Sequence, residues 1–206
     1  SVRAQAIRNL DEDDHTDLIP IFLKFLTNDA SPEVREAAAN ALGIFVYLGE
    51  MEEISLALAT SVEDTLIKVF NGTDEINVRR RALEAVSYKG RAEINEAIQI
   101  AYHDKDDLFK ISAIFAMGRS LDNQWSAIVL RELKNINPRI RFEAARASGE
   151  LQLREAVEIL IEMTRDVDNE VQEMACWALG EMGGEYAREA LAKLLKKAKG
   201  ERVELI

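Results

Sequence analysis

Few side chains in this chain could do chemistry. Its 206 residues include two histidines, His15 and His103, and one cysteine, Cys176. A single cysteine removes any internal disulfide and any cysteine-built zinc site. Two acidic runs, Asp11–Asp14 and Asp104–Asp107, each lie beside a histidine. They lack the alternating spacing of a calcium loop and read as solvated turns whose carboxylates favour nearby helix starts. No G-x-x-x-x-G-K-[ST], G-x-S-x-G or G-x-G-x-x-G occurs, so neither a phosphate cradle nor a nucleophile elbow is expected. Gly183-Gly184 reads as a turn. The expectation is a chain with no catalytic residues, no metal and no cofactor.

Composition narrows the class further. The chain holds 26 Lys+Arg against 37 Asp+Glu, a formal charge of −11, with 48% hydrophobic and 31% charged residues. That is a folded composition, not a disordered one. Ten Gly and three Pro are too few for an all-β fold, which needs a turn every 8–12 residues. The negative charge opposes nonspecific binding to nucleic acid, which needs Lys and Arg to neutralise phosphates. The longest near-apolar stretch, 41–49, is too short to span a bilayer. No membrane association is expected, and the cytoplasm is the expected location. The opening SVRAQAIRNLDEDD has neither an apolar signal core nor a Met, and reads as the start of a processed or excised fragment.

The elements that carry these residues repeat. Apolar anchors stand at Val2, Val34, Val78, Phe109, Ile140 and Val171, separated by 32, 44, 31, 31 and 31 residues. Four places after each comes an alanine: Ala6, Ala38, Ala82, Ala113, Ala144 and Ala175. One place after come Arg3, Arg35, Arg79, Lys110, Arg141 and Gln172. Nine places after come Gly43, Gly118, Gly149 and Gly180, with Asp11 and Ser87 in the other two copies. Apolar residues at 0, +4, +5 and +8 make one stripe of a helix, and Cys176, at +5, is expected as a core thiol. Ser31-Pro32, Asn137-Pro138 and Asp168-Asn169 read as helix starts, and the +9 Gly reads as a helix end. Between copies lies a second periodic segment, from LIPIFLKFL to REALAKLLKK. The unit is thus a helical hairpin of about 31 residues, which buries its apolar face only by stacking on its neighbours.

This pattern resembles HEAT repeats, in particular the short HEAT-like type first noted in phycobilisome lyases. The residues that carry it are the acid-to-base spacings Asp29…Arg35 and Asp104…Lys110, the weaker Asn135…Arg141, and the tails ANALG, FAMG and CWALGEMGG. Pro20 resembles the proline that kinks the first helix of such repeats. The resemblance covers nearly the whole chain. It implies an all-α fold, a right-handed α-α superhelix of about six helical-hairpin repeats. It also implies that each arginine ties to the carboxylate six residues before it. The reading is one repeat domain over 1–206, cut from a longer array. Its 44-residue step places an insertion near 44–61, with Ser61 as the cap of the helix that follows. Neither histidine precedes a glutamate, so the His-Glu pairs of HEAT-like di-iron hydroxylases are absent.

In such families the face opposite the core stripe, +2, +3, +6 and +10 of the second helices, lines the concave side. The third to sixth copies place there Arg80, Arg81, Tyr88, Ile111, Phe115, Arg119, Phe142, Arg146, Met174 and Trp177. Aromatic and Arg residues are enriched in interface hot spots. These ten are therefore the expected contacts for a protein or peptide partner, with Phe142 and Arg146 at the centre. The resemblance alone adds a bilin lyase or bilin-handling reading, in which arginines hold propionates and aromatics hold rings. It also adds a DNA-lesion reading, as in HEAT-like alkylpurine glycosylases, but the face carries five Arg against seven Glu over its six copies. A passive spacer is the remaining reading.

Overall fold

A computed structural model describes residues 1–88, 91–185, 187–189, 191–192 and 195–196. Regular structure among them is helical throughout. The helices are α1 (Val2–Arg8), α2 (Leu18–Asn28), α3 (Pro32–Ala41), α4 (Gly43–Glu50), α5 (Leu56–Asn71) and α6 (Ile76–Val86). They continue with α7 (Ala92–Tyr102), α8 (Asp107–Arg119), α9 (Ser126–Glu132), α10 (Pro138–Glu150), α11 (Val157–Met163) and α12 (Asn169–Met182). Short 3-10 turns, Asn123–Trp125 and Arg154–Ala156, lead into α9 and α11. In the last expected first helix, REALAKLLKK, residues 188–189, 191–192 and 195–196 are helical, and the remaining four lie outside the described residues.

The chain divides into two compact units, Ser1–Ala116 and Met117–Ile206. In the first, α2 packs on α3 and α5 on α6, while the second helices α1, α3 and α6 pack side by side. In the second, α9 packs on α10, α11 on α12, and α10 on α12. The anchors Val34, Val78, Phe109, Ile140 and Val171 are all buried, as are Ala38, Ala82, Ala113, Ala144 and Ala175. The repeat register therefore does mark the core stripe.

Its first copy differs. Val2 is 88% exposed and Ala6 is exposed, while Ala4 and Ile7 are buried. Here α1 packs on α3, and those two are its buried residues. Cys176 is half-buried rather than in the core.

The +9 glycines stand in the last turn of their helices rather than past it: Gly118, Gly149 and Gly180 lie one or two residues before the ends of α8, α10 and α12, while Gly43 opens α4. A Cβ on Gly118 would stand 2.7 Å from the Ala147 Cα, and one on Gly149 3.0 Å from the Ala178 Cα. Ala147 and Ala178 both stand at +7, so Gly at +9 of one copy and Ala at +7 of the next let consecutive second helices touch. The chain reverses three places later, at left-handed Leu121 (φ 52°), Gln152 (φ 55°) and Gly183 (φ 61°).

Four further expectations change. Pro20 sits in the first turn of α2, where helical amides have no partner to lose, so it need not kink the helix. Asn137 and Asp168 cap α10 and α12 through their side chains, but Ser31 makes no such bond to α3. Residues 44–61 form α4 and the start of a 16-residue α5, whose cap is Ser55; Ser61 lies inside the helix. The fourth concerns the arginine at +1, whose carboxylate belongs to the next repeat. Arg35 binds Asp74 through two nitrogens at 2.6 and 2.8 Å and reaches only the backbone carbonyl of Asp29. Arg141 does the same with Asp166, at 2.7 and 2.8 Å, and with the Asn135 carbonyl. Arg3 holds Asp29 likewise. Each such arginine ties its own interhelical loop, the neighbouring one, or both.

Candidate functional site: the second-helix faces

In the first unit, α6 carries Arg80 and Arg81 one turn before Glu84. The Arg80 Nε donates to the Leu108 carbonyl and to the Ser112 hydroxyl, both at 2.9 Å. Ser112 in turn donates to Glu84 at 2.5 Å. Arg81 donates to the other Glu84 oxygen at 2.5 Å and lies 3.4 Å from Glu36 on α3. Burial works against the Arg81 charge, but Glu84 and Glu36 outweigh it and hold the proton more tightly than usual. Tyr88 packs its ring on Tyr47, with centroids 5.7 Å apart. Ile111 is 6% exposed, so it belongs to the core and offers no contact face. Phe115 is half-buried.

In the second unit, Arg119 is exposed, while Phe142 and Met174 are half-buried. Arg146 does not reach outward. Its Nε donates to Glu143 at 2.8 Å and its Nη1 to Glu150, and the side chain is 13% exposed. Burial raises the Glu150 pKa against the pull of Arg146 and Arg119. Trp177 is 42% exposed. One edge of its indole lies on α10, where a Cβ on Gly149 would stand 3.0 Å from the ring.

Of the ten expected residues, Ile111 belongs to the core, and Arg80, Arg81 and Arg146 are bound to carboxylates of the same face. Tyr88, Phe115, Phe142, Met174 and Trp177 keep part of their surface exposed, and Arg119 is exposed. The neutralising groups Glu36, Glu84, Ser112, Glu143 and Glu150 were not singled out in the sequence. The i,i+3 and i,i+4 spacings of Arg81–Glu84, Arg80–Glu84, Glu143–Arg146 and Arg146–Glu150 carry that signal. Elsewhere, His15 is 80% exposed, and its ring nitrogen lies 2.6 Å from Asp13. The hydrogen bond to Asp13 raises the His15 pKa above its ordinary 6.5. With Asp14, these residues bring three ligand atoms within 4.8 Å on an exposed loop.

The sequence matches the family model for HEAT repeats over residues 1–60 and 126–205. The chain belongs to the HEAT-repeat family. HEAT-repeat proteins commonly serve as scaffolds for protein interactions, since stacked repeats offer long, rigid faces. Among solved structures, YibA of Escherichia coli is similar at 18% identity and a TM-score of 0.57, over 93% of this chain and 80% of that one. An engineered protein is similar at 19% identity and a TM-score of 0.50, over 85% and 84%. Human deoxyhypusine hydroxylase in complex with glycerol aligns at 18% identity and a TM-score of 0.48, over 87% and 78%. The likenesses to YibA and to the engineered protein speak to the fold. No curated protein matches the sequence. Among the described residues no helix is long and apolar enough to cross a membrane.

Proposed function

We propose that this HEAT-repeat chain is a non-enzymatic scaffold that binds a protein or peptide through the exposed faces of its second helices. The observation that carries this reading is Trp177, nearly half exposed yet seated against Gly149. A tryptophan held in one place loses little freedom on binding and offers a large amphipathic surface, the character of an interface hot spot. In the second unit, Phe142 and Met174 are the further contacts this reading uses. In the first unit they are Tyr88 and the exposed part of Arg81. Arg146 becomes a residue that shapes the face rather than its centre, because two glutamates already hold its guanidinium.

The test compares tagged wild type with Trp177→Ser and Phe142→Ser in capture from source-organism lysate, read by mass spectrometry. Circular dichroism verifies that each variant stays folded. A protein captured by wild type and reduced about tenfold or more with Trp177→Ser supports the reading, that factor being one hot-spot contact. Equal capture by all three overturns the face. Arg146→Glu is a poor probe, because it would leave three carboxylates together without their cation.

A further inference from the structure

The corner between α4 and α5 lies in the long repeat step and touches the first-unit face described above where the Tyr47 ring packs on Tyr88. Tyr47 is 42% exposed, Met51 53%, Leu56 82% and Leu58 37%. The corner is firmly built. A Cβ on Gly49 would stand 2.6 Å from the Ala59 Cβ, so α4 and α5 touch at that crossing. The Met51 amide donates to the Tyr47 carbonyl at 3.0 Å, which puts both side chains on one face of the helix end. Glu52 adopts φ 59°, and the Glu53 amide closes the turn on the Leu48 carbonyl at 2.9 Å. The Ser55 hydroxyl then caps α5. Four apolar side chains are thereby displayed within one turn or so of a fixed crossing, where a solvated corner would carry polar residues.

The exposed charges nearest in sequence are acidic. From residue 36 to residue 67 the chain contains no Lys or Arg; of its six acidic residues, Glu36 pairs with Arg81, and Glu63 and Asp64 pair with Arg91. Glu52 and Glu53 are exposed beside Met51. We infer that the α4–α5 corner is a second docking surface, independent of the Trp177 face, and that its occupant is a basic amphipathic segment of a partner protein. The aliphatic side of such a segment covers Met51 and Leu56, and its Lys and Arg residues meet Glu52 and Glu53. Apolar anchors at helical spacing are a recurring way to recognise a peptide, and the opposite charges set its class and steer its approach.

The probe is a fluorescein-labelled 18-residue peptide of Leu and Lys at amphipathic spacing, titrated with the whole chain by anisotropy. Two control peptides carry the same composition in scrambled order, or Glu in place of Lys. The amphipathic basic peptide is expected to bind at least tenfold more tightly than either control, and more weakly as salt rises. Met51→Ser/Leu56→Ser and Glu52→Lys/Glu53→Lys are each expected to weaken it about tenfold, with helicity unchanged by circular dichroism. Glu158→Lys/Glu162→Lys, an equal charge change on exposed positions of α11, is expected to leave it within about twofold. Equal loss in that last variant would mean general attraction to an acidic chain and would overturn the site. So would equal binding of the scrambled or acidic peptide, no binding of the basic one, or a wild-type dimer in sedimentation that Met51→Ser/Leu56→Ser dissolves. A loss at the Trp177 face leaves this result unaffected, because none of these variants touches that helix.

Discussion

Arg141 reaches two loops at once. Its guanidinium holds Asp166 through two nitrogens and also donates to the carbonyls of Asn135 and Ile136. Both side chains are largely buried, at 13% and 11% exposure. Removing the cation therefore leaves a carboxylate and two carbonyls short of partners. Arg141→Met keeps the aliphatic length, and its expected cost is about 2–3 kcal/mol, the range for charged hydrogen bonds lost from a buried site. The pH dependence has a definite sign. The Arg141 hydrogen bonds hold the Asp166 pKa below its ordinary 3.8. The stabilisation is thus complete above that value and is lost as pH falls through the lower folded value. Urea unfolding should show a constant gap between wild type and Arg141→Met from pH 7 to pH 5. Below about pH 4 the gap should shrink to the part carried by the two carbonyl bonds. A gap undiminished at pH 2 would mean that Asp166 is not the partner that matters.

At the scale of the helices, two glycines in the same repeat position should respond with opposite signs. Gly118→Ala drives a methyl group into the Ala147 Cα, 2.7 Å away, an atom of packed backbone that cannot swing aside. The expected loss is about 1–3 kcal/mol. Gly180 also stands at +9, but a Cβ there meets nothing within 4 Å among the described residues. Gly180→Ala should therefore gain helix propensity, about 0.5–1 kcal/mol. Thermal unfolding of the two variants checks both signs, and a loss at Gly180 as large as at Gly118 would refute the close-approach account. This pair also shows what the sequence could convey. Five of the six anchors, their alanines and the hairpin alternation were legible, because burial imposes the helical period directly on residue type. What each repeated residue touches was not legible, because that depends on the next helix. The glycine that resembled a stop is a contact, and the stop falls on Leu121 and Gln152, residue types that carry no such signal. Likewise the Asp29…Arg35 and Asn135…Arg141 spacings suggested a tie within one loop. The spacing in fact aligns each arginine with its own loop's carbonyl and with the next repeat's acid. Ser55 and Ser61 both satisfy the chemistry of a cap, and the helix starts at the first, whose hydroxyl accepts from the Leu58 amide.

For the chain as a whole, the formal charge of −11 and the pairing of its helix-face arginines act in the same direction. A groove that binds duplex DNA must offer cations free to displace counterions from phosphate. Here Arg80 and Arg81 share Glu84, and Arg146 lies between Glu143 and Glu150. Reaching a phosphate would require breaking those pairs while the remaining acidic groups repel the polymer. The protein should accordingly show no binding to a 20-base-pair duplex at 50 mM salt, with any dissociation constant above about 10⁻⁴ M, the weak end of nonspecific binding. Anisotropy with a labelled duplex, with and without an abasic or alkylated base, measures this. Micromolar binding that weakens steeply with salt would show that the arginines exchange partners, and would return nucleic acid to the account. An absence of binding even to the damaged duplex, alongside salt-sensitive binding of the basic peptide, would place the chain's electrostatics on the side of cationic protein segments. The exposed pair Glu52 and Glu53 would then be the part of the sequence that selects them.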